Sequence, residues 1–240
     1  MNKFISSFQS SFKVAALFLS AFTLTSCLDG GASDTKIKEW VEKNPEVIMK
    51  SLMDFQRRQQ EDSMPKPADV QANAQGLFQH AGSPSAGSTD GKIKVAYFFD
   101  FLCGHCEHQS KTNAAVLAKR GDVQIIYKNL PILSEFSEQV ARAALAAHQQ
   151  GKYKDYYDAF YKLDRSARKP DALKKVATNL RLDVKRWEAD MKGEAVMAEL
   201  MHVRELAQKM KINGTPAIAI APNVIIPGRA DELEKVIESL

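Results

Sequence analysis

The sequence predicts an α/β domain with a large helical insertion, preceded by an N-terminal helical stalk and an export leader. Three observations predict it. Ile93–Phe99 and Val123–Tyr127 are compact apolar runs of strand length, rich in aromatic and β-branched residues. A Cys-Gly-His-Cys motif, Cys103–Cys106, lies between them at the start of a helical stretch. Helical periodicity then runs from about Ser134 to Lys211, punctuated by Gly151 and Pro170, before two more short strands.

The leader occupies residues 1–26. Lys3 and Lys13 precede the apolar run Val14–Leu24. At roughly 11 residues it has the length of a signal-peptide core and is too short for a permanent membrane span. Leu24-Thr-Ser-Cys27 resembles a bacterial lipobox, and an unpaired thiol in an oxidising compartment is a liability. Cys27 is therefore the expected lipidation site, with residues 27–33 as a tether. Acyl chains would hold the protein at a membrane surface with ~0.8 kcal/mol per buried methylene. Leu28, where an aspartate would resemble an inner-membrane retention signal, points to the outer membrane if the host is Gram-negative.

Residues 34–62 place Ile37, Trp40, Val41, Val47, Ile48, Leu52 and Phe55 near helical spacing. Asn44-Pro45 divides the stretch, with Pro45 suited to the first turn of a second helix. Some thirty residues cannot bury this stripe alone, so it must dock on the main domain or on a second copy of itself, and oligomerisation is the preferred expectation. Met64-Pro-Lys-Pro67 ends it, and residues 63–75 read as a linker.

The remaining residues, 76–240, form the expected domain. Gly82–Gly91 is a loop by composition, and Gly121 ends the helix that follows the cysteines. Ala217–Ala221 and Val224–Ile226 read as a hairpin turning at Pro222-Asn223, and Asp231–Leu240 as a closing helix. Strand, cysteine-led helix, strand, helical block over about 134–211, hairpin and helix is the element order of a thioredoxin fold with a large helical insertion.

Composition narrows the function. The formal charge of +4 falls to +2 once Lys3 and Lys13 are removed with the leader. No basic run is interleaved with aromatics, so nucleic acid is set aside as a partner. The three cysteines divide into Cys27 and the Cys103/Cys106 pair. A sulfur at a helix N-terminus faces unsatisfied backbone N–H groups that favour its thiolate. Cys103 is thus the expected nucleophile, and Cys106, a turn further in, the resolving partner. His105 is expected to donate a hydrogen bond or positive charge to the Cys103 thiolate, and Gly104 would let a substrate backbone approach. A structural zinc site needs four ligands, and no second Cys-x-x-Cys or His-x-x-x-His exists. No metal or other cofactor is expected. A static disulfide in a tethered chaperone or binding protein, and soft Cu(I) held by the two thiolates, remain as alternatives. Gly214-Thr215-Pro216 sits at a helix-to-strand junction, where a cis proline would expose backbone for pairing with an extended peptide.

These residues carry a resemblance. Tyr97–Cys106, Tyr127–Leu133, Ala141–Ala147, Gly151–Tyr153 and Gly214–Ala217 resemble the DsbA-type thioredoxin-like disulfide oxidoreductases of the bacterial envelope. Asn44-Pro-Glu-Val-Ile48 is similar to the branch with an N-terminal oligomerisation segment, the ScsC-like proteins. The resemblance implies exchange with exported protein thiols and disulfides, and a membrane redox partner that resets the site. It makes Cys103 the nucleophile, Cys106 its buried partner, and Thr215 and Pro216 the cis-proline segment facing them. Two positions depart from the family. Tyr97 stands where a buried acid commonly accepts the proton, leaving Asp100 or water as candidates. Gly-His between the cysteines resembles isomerase sites, near ~−180 mV, more than the ~−120 mV oxidants.

Other polar residues are expected to be structural. His80, His108, His148 and His202 are scattered in sequence, and Lys128 has no assigned role. Tyr153, Tyr156, Tyr157, Phe160 and Tyr161 read as core packing, as do Met191, Met197, Met201 and Met210.

Overall fold

A computed structural model describes residues 30–63, 66–222, 224–227 and 232–239. The leader and Cys27 lie outside the described residues.

Two helices come first, α1 (Gly30–Lys43) and α2 (Pro45–Ser63). Asn44 separates them, its side-chain amide donating to the Trp40 carbonyl at 2.7 Å, and Pro45 takes the first position of α2, where its missing N–H costs nothing. The apolar stripe is exposed: Ile37, Trp40, Val41, Val47, Ile48, Met49, Leu52, Met53 and Phe55 are each 39–58 % accessible. The tether read over residues 27–33 is shorter than expected, because Gly30 and Gly31 already belong to α1. Two glycines in a first turn cost about 1 kcal/mol each against alanine and do not forbid the helix.

The stretch expected as a linker is also corrected. It contains α3 (Pro67–Ala72), and α4 (Ala74–Phe78) follows directly. The Lys66 N–H donates to the Asp69 carboxylate at 2.7 Å and Pro67 opens α3, so a proline that reads as part of a break starts a helix. Val70, Leu77 and Phe78 are buried in the core.

A five-stranded sheet follows: β1 (Ser85–Gly87), β2 (Ile93–Phe99), β3 (Val123–Asn129), β4 (Ala217–Ile220) and β5 (Val224–Pro227), in spatial order β1-β3-β2-β4-β5. Only the central pair β2/β3 is parallel. Its crossover is α5 (Gly104–Lys119), the helix the cysteines open. β1 lies in the expected Gly82–Gly91 loop. Three residues with no apolar alternation carry no strand signal, and main-chain pairing to β3 alone makes them one.

Strands β2, β3 and β4 are buried on both faces, and their side chains divide by alternation. Val95, Tyr97, Phe99, Val123, Ile125, Tyr127, Ile218 and Ile220 enter one core cluster. Ala96, Phe98, Ile126, Ala217 and Ala219 enter the other, with Val70, Leu77 and Phe78. The insertion supplies α6 (Glu135–His148), α7 (Tyr153–Lys162), α8 (Pro170–Asn179), α9 (Val184–Asp190) and α10 (Glu194–Lys209); α11 (Glu232–Glu238) closes the chain. Ser134 caps α6, its hydroxyl accepting from the Ser137 N–H at 3.1 Å. Gly151, at φ +71°, takes the chain out of α6 in a conformation that side chains resist. The alanines at 141, 143, 144, 146 and 147 are buried and let neighbours approach the α6 backbone, where Trp187 Nε1 donates to the Ala143 carbonyl at 2.8 Å. No helix among the described residues is long and apolar enough to cross a membrane.

Candidate functional site

The C-terminal ends of β2 and β3 carry the site. β2 runs straight into Asp100-Phe-Leu, and Cys103 then caps α5 with extended backbone at φ −73°, ψ 121°. Its N–H donates to the Asp100 carbonyl at 3.1 Å, and its carbonyl accepts from Glu107 N–H at 3.1 Å. Both motif cysteines are free thiols. Cys103 keeps 8 % accessibility and Cys106 none.

The residues before β4 close over the sulfur. Thr215–Pro216 is a cis peptide, and the Cys103 thiol donates to the Thr215 carbonyl at 3.4 Å. Residues 112 apart in sequence thus meet at one atom pair. Cys106 lies beneath, on the inner face of α5. Burial pushes its thiol up to about 12, the neighbouring Cys103 adds to the shift, and the Asp100 backbone and Thr215 oppose it. At neutral pH Cys106 therefore holds its proton.

Tyr97 fills the place beneath the cysteines. Its hydroxyl donates to the Cys106 carbonyl at 3.0 Å and its ring stacks on Phe99 at 4.9 Å. Burial holds the phenol protonated, well above its usual range. Asp100, the candidate substitute for the missing acid, is committed elsewhere. Its Oδ1 accepts from Leu102 N–H at 2.8 Å, and its Oδ2 from Ile132 and Leu133 N–H at 2.9 and 3.0 Å. It fastens the loop after β3 to the cysteine loop, leaving Ile132 and Leu133 exposed at that rim. Asp100→Ala is expected to orphan three amide donors and lower stability by about 2–4 kcal/mol, Asp100→Asn by less, since hydrogen bonds to a charged acceptor contribute ~1.5–3 kcal/mol. Urea unfolding measures both; equal losses would remove the charge from the explanation.

The surroundings of His105 and Gly104 add detail to their expected roles. His105 is exposed and, among the described residues, makes no hydrogen bond to Cys103; as the second residue of α5 it faces outward while the sulfur turns toward Thr215. The space above Gly104 is also taken. A Cβ there would meet Nη2 of Arg165 at 3.2 Å. Arg165 sits in a 3-10 turn, Arg165–Ala167, between α7 and α8, held by Glu107 of α5 at 2.9 Å. Arg168 reaches the same carboxylate at 2.8 Å and lies 5.7 and 5.5 Å from the Phe160 and Tyr161 ring centroids. Sequence reading missed this ion cluster, whose members lie 58 and 61 residues apart with no local pattern to join them.

The aromatic residues of α7 are core, and they support the site from behind. Tyr157 contacts Phe99 at 5.4 Å, Phe101 at 5.5 Å and Tyr127 at 4.9 Å. Phe101, two residues before Cys103, also meets Phe160 at 5.4 Å. The insertion thereby fixes the loop that presents Cys103.

A second polar cluster lies on the other sheet face, built from residues dismissed as scattered. Lys128 is wholly buried, its Nζ donating to the Gly76 carbonyl and to Ser83 Oγ, both at 2.7 Å. Ser83 donates to Glu199 at 2.6 Å, and His80 Nδ1 lies 2.8 Å from the other Glu199 oxygen. The His80 and His202 rings stack at 3.6 Å. No group of three or more His, Cys, Asp or Glu among the described residues is arranged to hold a metal ion.

Known proteins share this fold. The family model described as Thioredoxin matches residues 79–239. A thioredoxin-like oxidoreductase from Silicibacter pomeroyi is similar at 30 % identity and a TM-score of 0.65, over 70 % of this chain and 96 % of that one. ScsC of Proteus mirabilis, in a transitional conformation, shares the fold at 21 % identity and a TM-score of 0.62, over 87 % of this chain and 94 % of that one. Among curated relatives, the probable disulfide bond formation protein D of Bacillus anthracis is 24 % identical over 174 residues, 68 % of this chain and 80 % of that protein. With the fold, the cysteine-led helix and the facing Thr215–Pro216 segment in place, the chain belongs to the thioredoxin family as a DsbA-type thiol:disulfide oxidoreductase.

Proposed function

We propose that this enzyme exchanges disulfides with exported proteins in the bacterial envelope, with Cys103 as nucleophile and Cys106 as resolving thiol. The observation that carries the reading is the asymmetry of the pair. Cys103 sits at a helix N-terminus against the Thr215 carbonyl, whereas Cys106 is inaccessible and holds its proton. When the pair is a disulfide, a substrate thiolate attacks Cys103 Sγ, the Cys103–Cys106 bond breaks, and Cys106 leaves and takes up a proton. A second substrate thiolate then displaces Cys103. Two electrons and two protons pass from substrate to protein, and the reverse sequence reduces a substrate disulfide. Tyr97 donates to a carbonyl and Asp100 accepts from three amides, so water is the proton source that best suits Cys106. The Thr215 and Pro216 backbone is the surface on which an extended substrate would lie.

The exposed stripe on α1 and α2 supports a homo-oligomer formed through residues 34–62, since lone helices gain little from an unburied apolar face. Lipidation at Cys27 and anchoring at the envelope complete the reading, and a membrane redox partner would reset the pair.

Insulin reduction and refolding of scrambled ribonuclease test the activity. Turnover in both assays fits an exchanger able to shuffle disulfides; inactivity in both, with a folded protein, would leave only a binding role. Deleting residues 34–62 is expected to give a monomer with weakened isomerase activity. An unchanged mass per particle in light scattering would remove the stalk from the assembly.

A further inference from the structure

We propose that Arg165 is a specificity-determining residue of this site, and that its guanidinium favours substrates whose reacting cysteine is flanked by carboxylates. The proposal rests on the assignment of Cys103 as nucleophile and adds a substrate preference to it.

Position is the first ground. The guanidinium covers the residue next to Cys103: Nη2, Nη1 and Cζ lie 3.2, 3.6 and 3.8 Å from where a Gly104 Cβ would stand. A peptide disulfide-bonded to Cys103 must pass beside it. The second ground is surplus charge. Glu107 is the sole acid of α5 and is shared by two arginines. Arg168 holds it with two hydrogen bonds, Nη1 to Oε2 at 3.1 Å and Nη2 to Oε1 at 2.8 Å. Its side chain is only 6 % exposed and it also donates to the Leu163 and Tyr161 carbonyls. Arg168 alone neutralises Glu107 and is committed to structure. Arg165 touches the same carboxylate through Nε and Nη2, both at 2.9 Å, while its side chain stays 70 % exposed. Glu107 thus steers the second guanidinium over Gly104 and leaves its charge uncancelled.

The surroundings agree in sign. The segment 162–169 carries Lys162, Arg165, Arg168 and Lys169 against one acid, Asp164. A carboxylate arriving here meets a cationic lip, and rim charges of this kind set partner preference and association rate more than stability.

Two dithiol peptides, identical except for Asp or Lys on either side of the attacking cysteine, test this against the oxidised full chain. Each peptide gives two electrons and two protons to the Cys103–Cys106 disulfide and becomes a disulfide itself. Second-order rate constants are read by acid quench and mass spectrometry, comparing proteins with the same peptide so that intrinsic thiol reactivity cancels. Arg165→Gln is expected to slow the Asp peptide by roughly three- to tenfold at low salt and to leave the Lys peptide unchanged or faster. Arg165→Lys is expected to keep most of the preference, and 0.5 M salt to erase it. Equal slowing of both peptides by Arg165→Gln, or an unchanged Asp preference in a variant that unfolds at the wild-type temperature, would overturn the assignment. If the wild-type chain oxidises neither peptide, the assignment of Cys103 fails first and the preference falls with it.

Discussion

Cys103→Ser is expected to abolish exchange, lowering the rate of insulin reduction at least about a thousandfold, because a missing nucleophile leaves no covalent route. The fold should survive it. Cys103 is a cap without a side-chain capping bond, and its thiol donates to the Thr215 carbonyl, which the serine hydroxyl can also reach. The Cys106 variant should behave differently. Cys106→Ser keeps a nucleophile and loses the group that releases it, so it should still join substrates and fail to let them go. A Cys103→Ser protein with half its activity would mean that turnover does not begin at that sulfur.

Lys128→Met is expected to cost about 2–4 kcal/mol, because it leaves the buried Gly76 carbonyl and Ser83 hydroxyl without the amine that donates to them. In a domain of this size that lowers the unfolding temperature by on the order of 10 °C. The amine is the cation of a closed cluster: without it Glu199 is buried beside two histidines whose charged forms burial disfavours, and the Gly76 carbonyl loses a donor. Lys128→Met with Glu199→Gln should cost less than the two single losses added, because each single change strands the other's charge. The sign with pH is definite. Burial pulls Lys128 from its ordinary 10.5 to about 8, against the pull of Glu199. Between those values the unfolded chain binds more protons at this group, so its contribution to stability rises with pH. The gap between wild type and Lys128→Met should therefore widen from pH 8 to 10.5. A constant gap, or additive single losses, would mean that Lys128 acts by packing its methylenes alone.

The central strands and the cysteine motif were legible because their signals are local. A strand buried on both faces is a short unbroken apolar run, and Ile93–Phe99 emerges with the bounds its composition implies. Cys-x-x-Cys announces itself by spacing, and its place at a helix start follows from the strand before it. Elements without local signal were lost. β1 has three residues and no apolar alternation, and α3 and α4 have six and five, with prolines that read as a stop rather than a start. The polar clusters were lost for a different reason. Lys128 sits in an apolar strand, and its cluster draws on Gly76, Ser83 and Glu199 through hydrogen bonds that span 45 to 116 residues. Arg165 reads as surface charge until the turn between α7 and α8 is seen over Gly104. His105 shows the converse: adjacency to a cysteine in sequence suggests contact, while helix geometry turns the two side chains apart.

The most direct test is to trap the first intermediate. Purified Cys106→Ser, incubated with a reporter protein carrying a disulfide and quenched with acid, should form a mixed disulfide that mass spectrometry locates at Cys103 and that dithiothreitol releases. A folded Cys106→Ser protein with no adduct at Cys103 would contradict the account.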